Sequence, residues 1–323
     1  MTPRKDLLDI QSLTDEELEF ILTNAVPFKN LFKRSVKKVP TLRGRTVLTL
    51  FYEPSTRTRS SFEVAASRLS ADVINFSVST SSVVKGESVL DTISTLEAMR
   101  TDYVVVRHGM SGIPNLIAKN TTASVINAGD GFHAHPTQAL LDVFTMKEVF
   151  GGDVRGSRIA FVGDIQHSRV ARSTNLLCRR MGMATAMLAP GSLIPRDTPK
   201  DIAIFTNWDE LYAWKPDVIY LLRVQMERQN VPFFPSTGEY HRHYGLTDER
   251  LQRVRDSGIY VMHPGPVNRG VELNDSVMTY DRCLIDQQVE NGIAVRMSVL
   301  YWLKPGSASD SSQDLSPAGD VVA

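Results

Sequence analysis

Short, nearly continuous apolar runs alternate along the chain with stretches in which apolar residues recur every three or four positions. Runs of the first kind fill buried parallel strands, and stretches of the second kind form helices with one apolar face. Thr14-Asp15-Glu16-Glu17 reads as a capping box, and Leu18, Ile21, Leu22 and Ala25 continue it as a helix. Thr46 to Tyr52 predicts a strand, and Phe62, Ala65, Ala66 and Leu69 a helix after it. Val73–Ser77, Tyr103–Val106 and Ser124–Asn127 predict further strands, with a helix over Glu87–Arg100 (Val89, Ile93 and Leu96 on one face) and another opening at Pro136 and running through Ala139-Leu140-Leu141-Asp142-Val143-Phe144. A second series begins at Ser157: strand Arg158–Val162, a long helix through Leu176 and Leu177, then strands Ala184–Leu188, Asp217–Leu222 and Ile259–Met262, closed by a helix over Val289–Lys304.

The alternation predicts an α/β protein of two lobes, each a parallel sheet flanked by helices, with the C-terminal helix packing back on the first lobe. The expected divisions are residues 1–137 completed by helix 289–304, residues 138–288, and a Ser-, Pro-, Gly- and Asp-rich tail at 305–323, expected to be disordered. A length of 323 residues suits two such domains.

Composition narrows the function classes. Apolar residues make up 42% and charged residues 22%, as in ordinary globular proteins. No run reaches the ~18 apolar residues of a membrane span, and the start, MTPRKDLLDIQSL, has no signal-like apolar segment, so a cytoplasmic location is expected. Cys178 and Cys283 stand in separate apolar contexts and read as reduced, buried thiols. Outside the acidic tail the chain carries 36 basic and 33 acidic residues, too slight an excess for nucleic acid. Any bound anion should be small.

The candidate chemistry lies at strand ends. FYEPSTRTRSSFE (Phe51 to Glu63) places Ser55, Thr56, Arg57, Thr58 and Arg59 between a strand and a helix start, where unpaired amides and the positive end of the helix dipole favour an anion. The plain alternative is that Ser55 or Thr56 caps the helix while the arginines pair with Glu53 and Glu63. It is no Walker loop, having neither the preceding glycine nor a Gly-Lys-Ser/Thr. Other strand ends add Arg107 and His108, then AGDGFHAHPTQ with His135 and Gln138, and in the second lobe Arg169, Arg223 with Gln225, and the turn His263-Pro264-Gly265-Pro266. Cations thus gather on one edge of both sheets, where α/β proteins bind ligands. His133 and His135 lack a third ligand at metal-site spacing, and Gly163-Asp164 lacks the later glycines of a dinucleotide turn, so no metal and no nucleotide cofactor is expected. A noncatalytic anion-binding α/β protein stays open on these residues alone.

In order and spacing the motifs resemble those of the carbamoyltransferases over most of Met1 to Lys304, Ser55-Thr56-Arg57-Thr58-Arg59 standing as the first family signature and His135-Pro136-Thr137-Gln138 as the second. Lys85 in SSVVKGES, Arg223-Val224-Gln225 with Glu227-Arg228, and His263-Pro264-Gly265-Pro266 are similar to the aspartate branch. The His-Cys-Leu-Pro segment and Ser-Met-Gly loop of ornithine members are absent. Val170 stands where some members of the aspartate branch carry threonine.

The resemblance implies transfer of the carbamoyl group of carbamoyl phosphate to L-aspartate, giving N-carbamoyl-L-aspartate and phosphate, the committed step of pyrimidine (UMP) synthesis; the alternative is ornithine or a related amine as acceptor. Residues 1–137 would then bind carbamoyl phosphate and 138–288 aspartate. It further implies that Ser55, Thr56, Arg57, Thr58, Ser81, Arg107, His135 and Gln138 bind carbamoyl phosphate, with Thr58, Arg107 and His135 at the reacting carbonyl. Lys85, Arg169, Arg223, Gln225, Gly265 and Pro266 would hold aspartate. Ser81 and Lys85 would come from a neighbouring subunit of a homotrimer with shared sites, and association with a regulatory chain or a dihydroorotase-like protein is compatible with it. The amine's proton would pass to the departing phosphate, with His135 neutral. Arg59 is expected to pair with a nearby carboxylate rather than touch substrate.

Overall fold

A computed structural model describes residues 4–77, 89–224 and 236–305. The first sheet contains β1 (Thr46–Phe51), β2 (Asp72–Ser77), β3 (Tyr103–His108) and β4 (Ser124–Asp130), all parallel, in the order β2-β1-β3-β4. Helices α1 (Asp15–Asn30), α2 (Thr56–Arg68), α3 (Val89–Ala98), α4 (Ile113–Lys119) and α5 (Pro136–Val149) belong to this half of the chain. The second sheet contains β5 (Arg158–Val162), β6 (Ala184–Leu188), β7 (Ala203–Phe205), β8 (Val218–Leu221) and β9 (Tyr260–Met262), again parallel, in the order β7-β6-β5-β8-β9. With it run α6 (Arg169–Arg180), α7 (Trp208–Ala213), α8 (Thr237–Tyr244) and α9 (Asp248–Asp256), and α10 (Ile285–Trp302) closes the chain.

Alternation along the strands sorts side chains into different cores. In β1, Val47 and Phe51 join one apolar cluster while Leu48 and Leu50 join another, and in β5 Ile159 and Phe161 part in the same way from Ala160 and Val162. Both faces of these strands are therefore covered, which explains why they read as continuous apolar runs. The cluster containing Val47 and Phe161 is shared by the two sheets and includes residues of α1, α2, α5, α6 and α10. Helix α10 packs on α1, α2 and α5, with Ala294, Val295, Met297, Val299 and Leu300 fully buried, so the C-terminal helix returns to the first lobe as expected.

The capping box forms: Thr14 Oγ1 accepts from Glu17 N at 3.2 Å and Glu17 Oε2 accepts from Thr14 N at 2.9 Å. Several boundaries differ from the sequence expectations. β3 runs two residues further, placing Arg107 and His108 on the strand, and β4 continues to Asp130. α10 begins at Ile285, and positions 137 and 138 lie together inside α5. β7, α4, α7, α8 and α9 have no counterpart in the sequence reading; four of them are eight residues or shorter, and α9, DERLQRVRD, buries only Leu251 and Val254. The tail beyond residue 305, positions 87 and 88 of the expected third helix, and the segments 78–88 and 225–235 lie outside the described residues.

Because Leu300 is fully buried in the shared core, Leu300→Ala should cost about 2–5 kcal/mol of stability, while Val26→Ala, at a site 49% exposed, should stay within about 0.5 kcal/mol. Urea unfolding followed by circular dichroism measures both.

Candidate active site

The chain leaves β1 through Tyr52-Glu53-Pro54 and enters α2 at Thr56. Ser55 occupies the N-cap position but makes no side-chain cap, and α2 has no acidic residue in its first turn. α5 also starts without a cap, His135 standing at its N-cap and Pro136 at the first helical position. By contrast α1, α6, α7, α8 and α9 are capped by Thr14, Ser168, Asn207, Ser236 and Thr247. The starts of α2 and α5 line one cleft of about 520 Å³, together with Arg107 from β3, Arg169 and Val170 from α6, Arg223 beyond β8, and Pro264, Gly265 and Pro266 beyond β9. Amides without intrahelical partners, hydroxyls and guanidiniums thus converge on a space of small-molecule size.

Glu53 is the counter-charge in this cleft. Its Oε2 accepts from Arg169 NH2 at 2.8 Å and lies 3.3 Å from Arg107 Nε, so one carboxylate ties an arginine of the first sheet to one of the second lobe. Arg169, 4% exposed, also donates through NH1 to Gly131 O at 3.0 Å. Both guanidiniums press on Gly129, where a Cβ would sit 2.8 Å from Arg169 Cζ and 3.1 Å from Arg107 NH1; only a residue without one fits there at φ 132°. Arg57 reaches across the cleft in the same manner. A Cβ on Gly265, at φ 66°, would lie 1.2 Å from Arg57 NH1, so the guanidinium rests directly on that turn. Burial weakens Arg57's hold on its proton, an effect Asp286 opposes.

His135 and His263 are buried with bare ring nitrogens, His135 Nδ1 and His263 Nε2 having no hydrogen-bond partner among the described residues. His263 Nδ1 accepts from Gly265 N at 2.8 Å, which puts the proton of the neutral ring on Nε2. Burial, then Arg169, Arg107 and Arg296, pushes the pKa of His135 well below the usual histidine range. Burial, then Arg57 and Arg223, lowers that of His263 to about 3. Neutral imidazoles are what a crowd of cations permits.

Of the residues singled out in the sequence, Ser55, Thr56, Arg57, Thr58, Arg107, His135, Gln138, Arg169, Arg223, Gly265 and Pro266 all line this cleft. Ser81, Lys85 and Gln225, with Glu227 and Arg228, lie outside the described residues. His133 diverges from His135: its Nδ1 lies 2.9 Å from Asp130 Oδ2 on the exposed side of the loop. Asp164 in the Gly163-Asp164 turn is buried against His167 Nδ1 at 2.8 Å. Among the described residues Arg59 has no carboxylate partner; its guanidinium lies over the Phe51 ring at 5.2 Å, because Glu53 turns toward Arg107 and Arg169 instead. Cys178 is buried as expected, and Cys283 only half so. Three polar groups were missed. Glu53 was read only as a partner for Arg57 or Arg59, and Asp142 and Arg296 stand inside apolar helical runs, where a lone charge signals a buried, satisfied group.

Residues 5–148 match the aspartate/ornithine carbamoyltransferase, carbamoyl-P binding domain, and residues 155–303 match the Asp/Orn binding domain of the same family. The chain belongs to the aspartate/ornithine carbamoyltransferase family. An aspartate carbamoyltransferase catalytic subunit of Akkermansia muciniphila is 68% identical over 303 residues, covering 94% of this chain and 98% of that one. One from Endomicrobium trichonymphae is 52% identical over 309 residues, covering 95% and 98%. Among solved structures of such carbamoyltransferases, Trypanosoma cruzi aspartate transcarbamoylase in complex with N-(phosphonacetyl)-L-aspartic acid superposes with a TM-score of 0.85 at 28% identity, covering 94% of this chain and 96% of that one.

The buried titratable groups of this carbamoyltransferase fix the sign of its response to acid. Folded His135 and His263 refuse the proton that the unfolded chain takes up at pH 6.5, so each costs stability on the order of 1.4 kcal/mol per pH unit below 6.5, down to its folded pKa, about 3 for His263. Asp142, raised to about 6 by burial, acts oppositely: the folded chain binds its proton first and gains stability between about pH 6 and the ordinary 3.8. Urea midpoints against pH should show a flatter acid limb in His263→Gln and a steeper one in Asp142→Asn. An acid limb unchanged in His263→Gln would contradict the assignment.

Proposed function

We propose that the chain transfers the carbamoyl group of carbamoyl phosphate to the amine of L-aspartate, releasing N-carbamoyl-L-aspartate and phosphate for pyrimidine synthesis. The observation that carries this reading is the single cleft in which the uncapped α2 start meets arginines from both halves of the chain. Carbamoyl phosphate is a dianion near neutrality and aspartate carries two carboxylates, so their encounter needs separate cations for each. Relatives named aspartate carbamoyltransferase catalytic subunit, at up to 68% identity, support aspartate as acceptor over ornithine.

In this reading residues 1–137, completed by helix 289–304, bind carbamoyl phosphate, and residues 138–288 bind aspartate. Ser55, Thr56, Arg57, Thr58 and Arg107 take the phosphate, the amides of α2 adding to the side chains. Thr58, Arg107 and neutral His135 donate to the carbonyl oxygen as charge develops on it. Gln138 orients the carbamoyl nitrogen. Arg169 and Arg223, with Gln225 and Lys85, grip the aspartate carboxylates, and the backbone at Gly265 and Pro266 contacts both substrates. The amine attacks the carbonyl carbon, the C–O bond to phosphate breaks, and the phosphate carries away the amine's proton. Ser81 and Lys85 act from a neighbouring subunit of a cytoplasmic homotrimer.

Assay with each acceptor tests the reading: carbamoyl transfer to aspartate is expected, and transfer to ornithine with none to aspartate would overturn it. Thr58→Ala, Arg107→Ala and His135→Ala should each lower the rate about 10²- to 10³-fold. Arg57→Ala and Lys85→Ala chains, each inactive alone, should regain some activity when mixed. Verified mixed oligomers that stay inactive would count against shared sites.

A further inference from the structure

Behind the cleft lies a fully buried carboxylate that none of the roles above uses. Asp142, on α5, receives four hydrogen bonds. Its Oδ1 accepts from Gln138 Nε2 at 3.0 Å and from Gln288 Nε2 at 2.8 Å; its Oδ2 accepts from Thr174 Oγ1 at 2.9 Å and from Tyr220 OH at 2.8 Å. The four donors come from α5, α10, α6 and β8.

The orientation of each glutamine amide follows from donor and acceptor chemistry. The backbone N–H of His263 can only donate, and it donates to Gln288 Oε1 at 3.0 Å. Gln288 must therefore present its NH₂ to Asp142, and Oδ1 must be an acceptor. Since Oδ1 is an acceptor, Gln138 must present its NH₂ as well, which leaves its carbonyl oxygen for the cleft that it lines. Taking up a proton does not undo this. Burial raises the Asp142 pKa to about 6, yet the proton belongs on Oδ2, where the Thr174 and Tyr220 hydroxyls can turn and accept.

We propose that Asp142 is a positioning residue: it locks the Gln138 amide with its carbonyl oxygen toward the cleft, so that the site selects a small acyl phosphate bearing an N–H donor. Through Gln288 it also ties down the backbone at His263, where the Pro264-Gly265-Pro266 lining begins. An acyl phosphate with a methyl group in place of the amino group would leave the Gln138 oxygen unpaired in a half-dry site, which costs affinity. The inference rests on the carbamoyl-transfer reading and deepens it.

The test compares the KM for carbamoyl phosphate with the inhibition constant of acetyl phosphate as its competitor. In the unmodified chain carbamoyl phosphate should bind at least about tenfold more tightly. Asp142→Leu removes the acceptor and should shrink that ratio to within about threefold. Asp142→Asn should keep the ratio, because its carbonyl can face the two glutamines while its NH₂ donates to the two hydroxyls. Thr174→Val should lower the melting temperature and keep the ratio, separating mere structural loss from positioning. The inference is overturned if acetyl phosphate binds as well as carbamoyl phosphate to the unmodified chain, if folded Asp142→Leu keeps the ratio, or if Asp142→Asn or Thr174→Val abolishes it. Should Asp142→Leu fail to fold, Asp142→Ser, whose side chain is too short to accept from both glutamine amides, takes its place: the same shrinkage of the ratio is expected, and an unchanged ratio overturns the inference. A failure of the carbamoyl-transfer reading looks different: the unmodified chain would then transfer no carbamoyl group at all.

Discussion

Four guanidinium groups line one cleft, and among the described residues lining it Glu53 is the one acid. Two like charges about 4 Å apart repel by roughly 4 kcal/mol at an effective dielectric of 20, so such a crowd is stable without a dianion only if a counter-charge is built in. Glu53 answers this by accepting from Arg169 while standing beside Arg107, and in doing so it joins the second lobe to the first across the cleft. The remaining geometry follows from the same pressure. His135 and His263 stay neutral, the guanidiniums of Arg107 and Arg169 are packed against Gly129, and that of Arg57 rests on Gly265.

The helix starts complete the electrostatic arrangement. α2 and α5 present their first turns to the cleft without side-chain caps, whereas most helices elsewhere in the chain carry one. An uncapped start forgoes about 1 kcal/mol of local stability, and that sacrifice leaves amides available to an anion. The rigid support behind them is apolar. α10 fills the space against α1, α2 and α5, and its buried Arg296 donates to Ser61 Oγ at 2.8 Å beneath the Phe62 ring, bracing α2 from the far side.

Much of this was legible in the sequence because parallel strands covered on both faces must read as apolar runs, as β1, β3 and β5 do, and because ligand chemistry in such folds collects where those strands end. Short or polar elements were not legible: β7 has only three residues, of which Ala203 and Phe205 are partly buried and Ile204 is exposed, and α9 shows its cap, Thr247, more clearly than any apolar face. Individual arginines could be placed at the cleft, but their partners could not. Glu53 stood within four residues of Arg57, so proximity in sequence suggested that pair, while the fold brings Arg107 and Arg169 closer. Arg59 illustrates the same limit, since the turn of the helix sends it over Phe51. Asp142 looked like a flaw in an apolar run until four donors from four elements surrounded it.

One cleft holds cations from both lobes, so a ligand that spans it should engage both sets at once. Calorimetric titration of the full chain with N-phosphonacetyl-L-aspartate and, separately, with inorganic phosphate addresses it directly. The bisubstrate analogue should bind at least about a hundredfold more tightly than phosphate, and Arg223→Ala should weaken the analogue while leaving phosphate unchanged. Equal affinities for the two ligands, or an Arg223→Ala chain that loses both to the same degree, would contradict it.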